Sequence, residues 1–441
     1  MTRDLCASHV RKVRGVLSAL AAVLACVGLC VPSAVASDGV DWRVDGMGVR
    51  DAWASGITGK GVKVAVLDNQ IVSDYPALAG ADVSYKLVTE GGQPCYLETG
   101  DGSVSSEPVS TDDPTVLSSS GYMMTHGTHM VSLIAGNGSG WDGGSGIQGI
   151  ASRASVIAYM LDADSKGNLG ELNMPLACRT QNNESTVQTI GPSVRDAVDS
   201  GARIINMSFG YGDVSDAIFR DYMLYALRHG VVMVSGRSNG SWAGLYDLVG
   251  APGTTDYFPG VVTVNAVDSA GNLQESSDVM DGNVSVLSPG VGVPSYRSTD
   301  SREMDLTGGG TSTAAANLSA YLALVMQRWP DATGNQILQS LIRNTKGNAS
   351  GGPKLDPEHK RGFGIVDPGK LLSVDPTRYP DVNPLLEWAV KTSGEHEETK
   401  GMYEYPSPLG RNGVADTDVF SPNGERISAT VEASLVGREP V

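Results

Sequence analysis

The sequence predicts an α/β domain with a mainly parallel central sheet flanked by helices. Three observations point there. Through the middle of the chain, short apolar runs alternate with amphipathic segments. Apolar residues make up 41% and charged residues 18%, enough for a sizeable core and too few charges for a mainly disordered chain. Glycine accounts for 55 of 441 residues without a G-X-Y period, which excludes collagen and implies tight turns and close backbone approaches.

The elements follow in order. Val62 to Leu67 is a Val-rich strand ending at Asp68. His126 to Ala135 carries Met130, Leu133 and Ile134 at helical spacing. The glycine-rich stretch Gly136 to Gly149 follows that helix and reads as a flexible surface loop. Ala154 to Met160 and Arg203 to Met207 are buried strands, with a helix at Val194 to Ser200 between them. Ala217 to Arg228 is a helix stopped by His229-Gly230, and Val231 to Val234 is the next strand. Val261 to Val267 is another strand. Thr311 to Trp329 is a small-residue-rich helix ended by Pro330, and Gly334 to Thr345 is a last helix.

The ends differ from this pattern. Arg3, Arg11, Lys12 and Arg14 precede the uncharged apolar run Val16 to Val31, and Ala34-Val35-Ala36 supplies a small-x-small cleavage site. Residues 1–36 therefore read as a signal peptide rather than a membrane anchor, because the run falls short of the ~20 residues that span a bilayer. No later run resembles a membrane span, so the mature chain is expected to be secreted, extracellular or associated with the cell envelope. Cleavage after Ala36 takes the net charge from −17 to −20. Such an acidic chain lacks the electrostatic footprint of a nucleic-acid binder. Two of the five cysteines remain, Cys95 and Cys178, and export permits a disulfide between them, with two unrelated thiols as the alternative. Residues 37–372 hold the main domain with an N-terminal extension. Pro, Asp, Glu, Gly and Ser dominate residues 373–441, which read as a polar tail or linker.

Three separated sites carry chemistry. Asp68 stands at a strand's carboxyl end, where open α/β sheets place their ligand crevices, although such an Asp alone is commonly a turn former. His126 opens a helix within Thr125-His126-Gly127-Thr128-His129. The field at a helix N-terminus disfavours imidazolium and keeps such a histidine a neutral base. A zinc site would need Glu after the first His, where Gly127 stands, and no other ligand cluster is present, so no metal is assigned and His129 is a packing or hydrogen-bonding neighbour. Gly308-Gly309-Gly310 leads into Thr311-Ser312-Thr313-Ala314-Ala315, a helix start with Ser312 in its first turn. Alone this could be an ordinary helix cap, and the absence of a following Lys argues against a phosphate loop.

The order Asp, His, Ser matches one of the known orders of the catalytic triad. Residues 41 to about 370 resemble the subtilisin-like serine peptidases (subtilases, peptidase family S8). Gly61 to Asp68 resembles the family's Asp block, His126 to His129 its His block, and Gly310 to Ala315 its Ser block. The resemblance implies a three-layer subtilisin-like fold and a secreted serine endopeptidase. Ser312 would attack the scissile carbonyl, His126 would carry the proton and Asp68 would orient His126. It also implies that Asn239 and the Ser312 backbone N–H form the oxyanion hole, and that Ser208, Phe209, Gly210 and Gly236 bind substrate. A catalytically inactive subtilase-fold scaffold of the cell envelope is the alternative.

The chemistry requires no cofactor, and calcium, which the family commonly binds, has no assignable ligands here. The expected partners are protein or peptide substrates, and the chain is expected to be a monomer. Asn69-Gln70 follows Asp68 where the family has a small hydroxyl residue and Gly, so either Gln70 is strained or the turn differs. Ala316-Asn317 replaces the family's Pro-His, a change that a first helical turn should tolerate. Arg237-Ser238 replaces a small residue and Gly, a change expected to narrow or recharge a substrate pocket. Trp42 to Trp53 is expected to pack on the domain as an extension like those of actinobacterial mycosin-like subtilases.

Overall fold

The computed structural model describes residues 41–99, 102–164, 175–209, 217–237, 255–258, 260–274, 284–348, 352–356, 360–385, 418–420 and 426–428. The signal read at residues 1–36 and most of the tail lie outside the described residues.

Among the described residues seven strands make one parallel sheet. They are β1 (Lys63–Asn69), β2 (Val83–Lys86), β3 (Ser155–Asp164), β4 (Ile204–Met207), β5 (Val232–Gly236), β6 (Val262–Val267) and β7 (Val286–Pro289). Their spatial order is β7-β6-β5-β4-β1-β3-β2, and Pro175–Leu176 adds an antiparallel pair to the end of β3. Val64 lies opposite Val156 on one side and Ile204 on the other. From β1 the chain adds β2 at one edge and β3 between them, then crosses to build β4 to β7 outward on the other side, so the order reverses between β1 and β4. In open α/β sheets the crevice at the carboxyl ends of such a pair is where ligands bind.

Helices cover both faces: α1 (Trp42–Asp45), α2 (Val49–Ala54), α3 (His126–Ala135), α4 (Ile190–Asp199), α5 (Ala217–Arg228), α6 (Thr311–Arg328), α7 (Gly334–Arg343) and α8 (Pro368–Ser373). The period of two along each strand sorts its side chains. Val64, Val66, Val232, Val234 and Val264 join Met130 and Leu133 of α3 and Ala315, Leu318 and Leu322 of α6 in one core. Ala65, Leu67, Ile205, Met207 and Met233 join Val194 and Val198 of α4 and Met223 and Leu224 of α5 in the other. Three layers result, as the fold class requires.

Some elements depart from the sequence expectation. Gly136 to Gly149 is not a loose loop. Asn137–Ser139 and Ser145–Gln148 pair antiparallel, and Ile147 is fully buried, so its glycines serve a tight strand pairing. Strand β7 is followed by an antiparallel hairpin, β8 (Val291–Tyr296) and β9 (Met304–Gly309), which leads directly into α6. The N-terminal extension packs as expected: Trp42 Nε1 donates to the Val291 and Gly292 carbonyls at 3.1 Å, and Trp53 Nε1 donates to Ile150 O at 2.9 Å.

Cys95 and Cys178 form a disulfide that closes a loop across 83 residues. Both are buried with Leu87 and Val187 in a small core of their own. The first part of the polar segment after residue 372 lies against the domain. Asp381 accepts from Thr333 and Asn335 at 2.6 and 2.7 Å, and Leu385 is buried. Among the described residues no helix is long and apolar enough to cross a membrane.

Candidate active site

Asp68 ends β1 at the point where the strand order reverses. Its register against β3 slips between Asp68 and Asn69, so β1 runs one residue further and Gln70 N–H donates to Asp162 O at 2.9 Å. Gln70 is not at positive φ; among the described non-glycine residues only Asp142 and Asn183 are. The turn after Asp68 therefore carries no left-handed strain.

Asn69 gains a task from this geometry. Its Oδ1 accepts the Gly127 N–H at 2.7 Å, tying the start of α3 to the end of β1. A Cβ at Gly127 would stand 2.6 Å from Asn69 O and 2.9 Å from Ile71 Cδ1, so only glycine permits this approach. Thr125 caps α3 by accepting from Thr128 N–H, and its hydroxyl donates to Gln70 O at 2.6 Å.

This local architecture places His126 on Asp68. His126 Nδ1 and Asp68 Oδ1 are 2.7 Å apart, and the same oxygen accepts the Asn69 N–H at 2.8 Å. The Asp68 side chain is 5% exposed and that of His126 41%, so one face of the imidazole pair is sheltered and the other open to solvent. A carboxylate on Nδ1 fixes the tautomer in which Nε2 carries the lone pair that accepts a proton. His129, one turn on, is half-buried and donates through Nε2 to Pro294 O at 2.9 Å. Burial pushes its pKa down to about 4, so it is a neutral packing partner near pH 7.

Ser312 stands in the first turn of α6, which packs against α3 on the same face of the sheet. Its hydroxyl donates to Ser208 O at 2.7 Å, and Ser208 Oγ lies 2.9 Å from Ser312 O and from Asn206 Oδ1. The ends of β4 and α6 are thereby locked together. Gly236 faces the same helix start. A Cβ there would lie 3.1 Å from the Thr311 carbonyl group and 3.2 Å from Ser312 N, so Gly236 admits the nucleophile-type helix turn. Phe209 is half-buried, and its carbonyl accepts from Ser235 Oγ at 2.7 Å.

Gly210 and Asn239 lie outside the described residues. Arg237 does not recharge a pocket: its side chain is wholly buried and pairs with the equally buried Asp256 at 2.5 Å. A paired guanidinium withdrawn from water leaves no charge on the surface. The Arg237 carbonyl accepts the Thr311 hydroxyl, the residue before Ser312. Among the described residues no group of three His, Cys, Asp or Glu side chains could hold a metal ion.

Sequence reasoning missed the roles of Asn69, Asn206 and the Arg237–Asp256 pair. Asn69 and Arg237 left a signal, each standing where the sequence departs from the family pattern.

Compared with known proteins, residues 59–365 match the model of the subtilase family, peptidase S8. The chain is 28% identical over 345 residues to the minor extracellular protease Epr of Bacillus subtilis (strain 168), covering 75% of this chain and 43% of Epr. It thus spans less than half the length of that relative. Subtilisin DY of Bacillus licheniformis is 27% identical over 290 residues, covering 65% of this chain and 85% of that protein. Among solved structures, the MycP3 protease from the type VII (ESX-3) secretion system superposes with a TM-score of 0.51 at 25% identity, covering 78% of this chain and 90% of MycP3.

Proposed function

The chain belongs to the subtilase family, and from that membership we propose that it is an exported serine endopeptidase using Asp68, His126 and Ser312. The observation that carries the reading is the 2.7 Å pair between His126 Nδ1 and Asp68 Oδ1 at the reversal of strand order, with His126 on a helix that packs against α6, which has Ser312 in its first turn. His126 Nε2 removes the Ser312 proton as Oγ attacks the scissile carbonyl, and returns it to the leaving amine. Asp68 stays ionised and stabilises the imidazolium. Asn239 and the Ser312 N–H hold the oxyanion, one such donor being worth about 10²–10³ in rate. The substrates are proteins or peptides. Export rests on the pattern of residues 1–36 and on the extracellular description of Epr.

A fluorophosphonate serine probe tests this. We expect labelling of the wild type that vanishes in Ser312→Ala, and an Asn239→Ala variant whose kcat falls about 10²–10³-fold with KM nearly unchanged. Folded wild-type protein that takes up no probe would instead support the inactive scaffold.

A further inference from the structure

The proton exchange between Ser312 and His126 depends on how α6 sits against α3, and one guanidinium is buried at the junction of these helices. Arg43, in α1, is 0% exposed. Its Nε and Nη2 donate to the Asp41 carboxylate at 2.9 and 2.5 Å. Its Nη1 donates to Asn317 Oδ1 at 2.9 Å, and Nη2 also donates to Gln148 O at 3.0 Å.

Each contact leads toward the site. Asn317 lies on α6, five residues after Ser312, and its Nδ2 donates to Pro289 O at 2.8 Å. The next residue, Gly290, accepts the N–H of Gly310, which caps α6, at 2.8 Å. Gln148 Nε2 donates to Gly136 O, at the end of α3, at 3.2 Å. Tyr321, one turn beyond Asn317 on α6, donates to the Arg43 carbonyl at 2.8 Å. Asn317 is a departure from the family's motif, and an amide suits it because one end accepts from Arg43 while the other donates to Pro289.

We propose, resting on the peptidase reading, that Arg43 is a positioning residue: held by Asp41, it fixes α6 relative to α3 through Asn317 and Gln148 and so sets the approach of Ser312 to His126. A buried ion pair contributes little net stability compared with apolar residues of the same volume. Its forked geometry, with four N–H donors bonded to three different partners, admits one arrangement of those partners, whereas apolar contacts admit several. The N-terminal extension would then be part of the reaction geometry, beyond covering apolar surface.

The experiment uses the full chain, with peptide hydrolysis, the rate of fluorophosphonate inactivation and the thermal midpoint measured together. Asn317→Ala leaves Arg43 paired with Asp41 and should fold. We expect its kcat and inactivation rate to fall roughly 10- to 100-fold with KM within about twofold, the scale of a displacement near 1 Å. Arg43→Lys should retain more kcat than Arg43→Met. The double variant Asp41→Asn/Arg43→Met removes both charges, and we expect it to regain the wild-type midpoint while kcat stays depressed. If kcat returns together with stability, or if folded Asn317→Ala keeps wild-type kcat, the role is structural and the proposal is overturned. A wild type that does not react with the probe overturns the peptidase reading, and this proposal with it.

Discussion

The two faces of the sheet solve the same packing problem by different means. On one face, α4 and α5 are ordinary amphipathic helices. Val194, Ala197 and Val198 of α4 are buried, while Arg195 and Asp199 face solvent and pair with each other at 3.7 Å. On the other face, every side chain of α6 from Thr313 to Met326 is buried, and buried polar groups punctuate the contacts. Asn206 Nδ2 donates to Ser319 Oγ at 3.1 Å, Val72 N–H donates to Thr128 Oγ1 at 2.8 Å, and Asn317 takes Arg43. Apolar packing holds a helix against a sheet, but neighbouring rotations of the helix differ little in energy. Each buried hydrogen bond removes that freedom, at the cost of desolvating its partners. The face with α3 and α6 is the one on which residues far apart in sequence must meet to a fraction of an ångström.

The largest effect expected from this contrast is at Asp68. Asp68→Asn should lower kcat by about 10⁴-fold, since an amide no longer secures the histidine tautomer. KM and the thermal midpoint should change little, because the replacement is isosteric. A loss of only a few fold in steady-state hydrolysis would break the comparison, showing that the α3 end tolerates what an ordinary surface would.

Next in size is a stability effect on the same face. His129 is held neutral by burial, with a pKa of about 4 against 6.5 for the free side chain. Below about pH 6.5 the unfolded chain binds a proton that the folded chain refuses, so stability falls as pH drops toward 4, by up to about 3 kcal/mol. His129→Gln keeps a donor for Pro294 O and cannot titrate. Its denaturation midpoint should match the wild type near pH 7.5 and exceed it at pH 4.5. Parallel curves for the two proteins would show that His129 is not kept neutral by its surroundings.

How much of this was legible in the sequence follows the same division. The elements with sharp punctuation were readable: α5 ends where His229-Gly230 stops it, and α6 where Pro330 follows. The disulfide was readable because Cys95 and Cys178 are the last two cysteines of the chain. Strand β7 and the β8–β9 hairpin were not, since Ser288-Pro289-Gly290-Val291-Gly292-Val293-Pro294 mixes turn residues with valines and shows neither helical nor strict strand periodicity. Asp68, His126 and Ser312 were singled out from local motifs. Their supports were not, because each rests on a partner brought near only by folding. Arg43 and Asn317 are 274 residues apart, and Arg237, expected to narrow or recharge a substrate pocket, meets Asp256 only in the fold. A buried ion pair leaves no periodic trace, whereas a buried apolar stripe does.

The smallest expected effect sharpens the comparison from the opposite face. Lys86 of β2 donates to Asp196 of α4 at 2.6 Å, and Tyr159 Oη donates to the same carboxylate oxygen at 2.5 Å. Lys86 and Asp196 are both about one third exposed, so water screens their attraction and each has an alternative in solvent. Lys86→Met should therefore cost about 0.2–1 kcal/mol in denaturant titration, an effect that shrinks further as salt is raised. Because α4 packs on the face away from α3 and α6, kcat and KM should be unchanged. A loss of activity in a stably folded Lys86→Met protein would mean that α4 also positions the site, and that the division of labour between the two faces is not the principle by which this molecule is built.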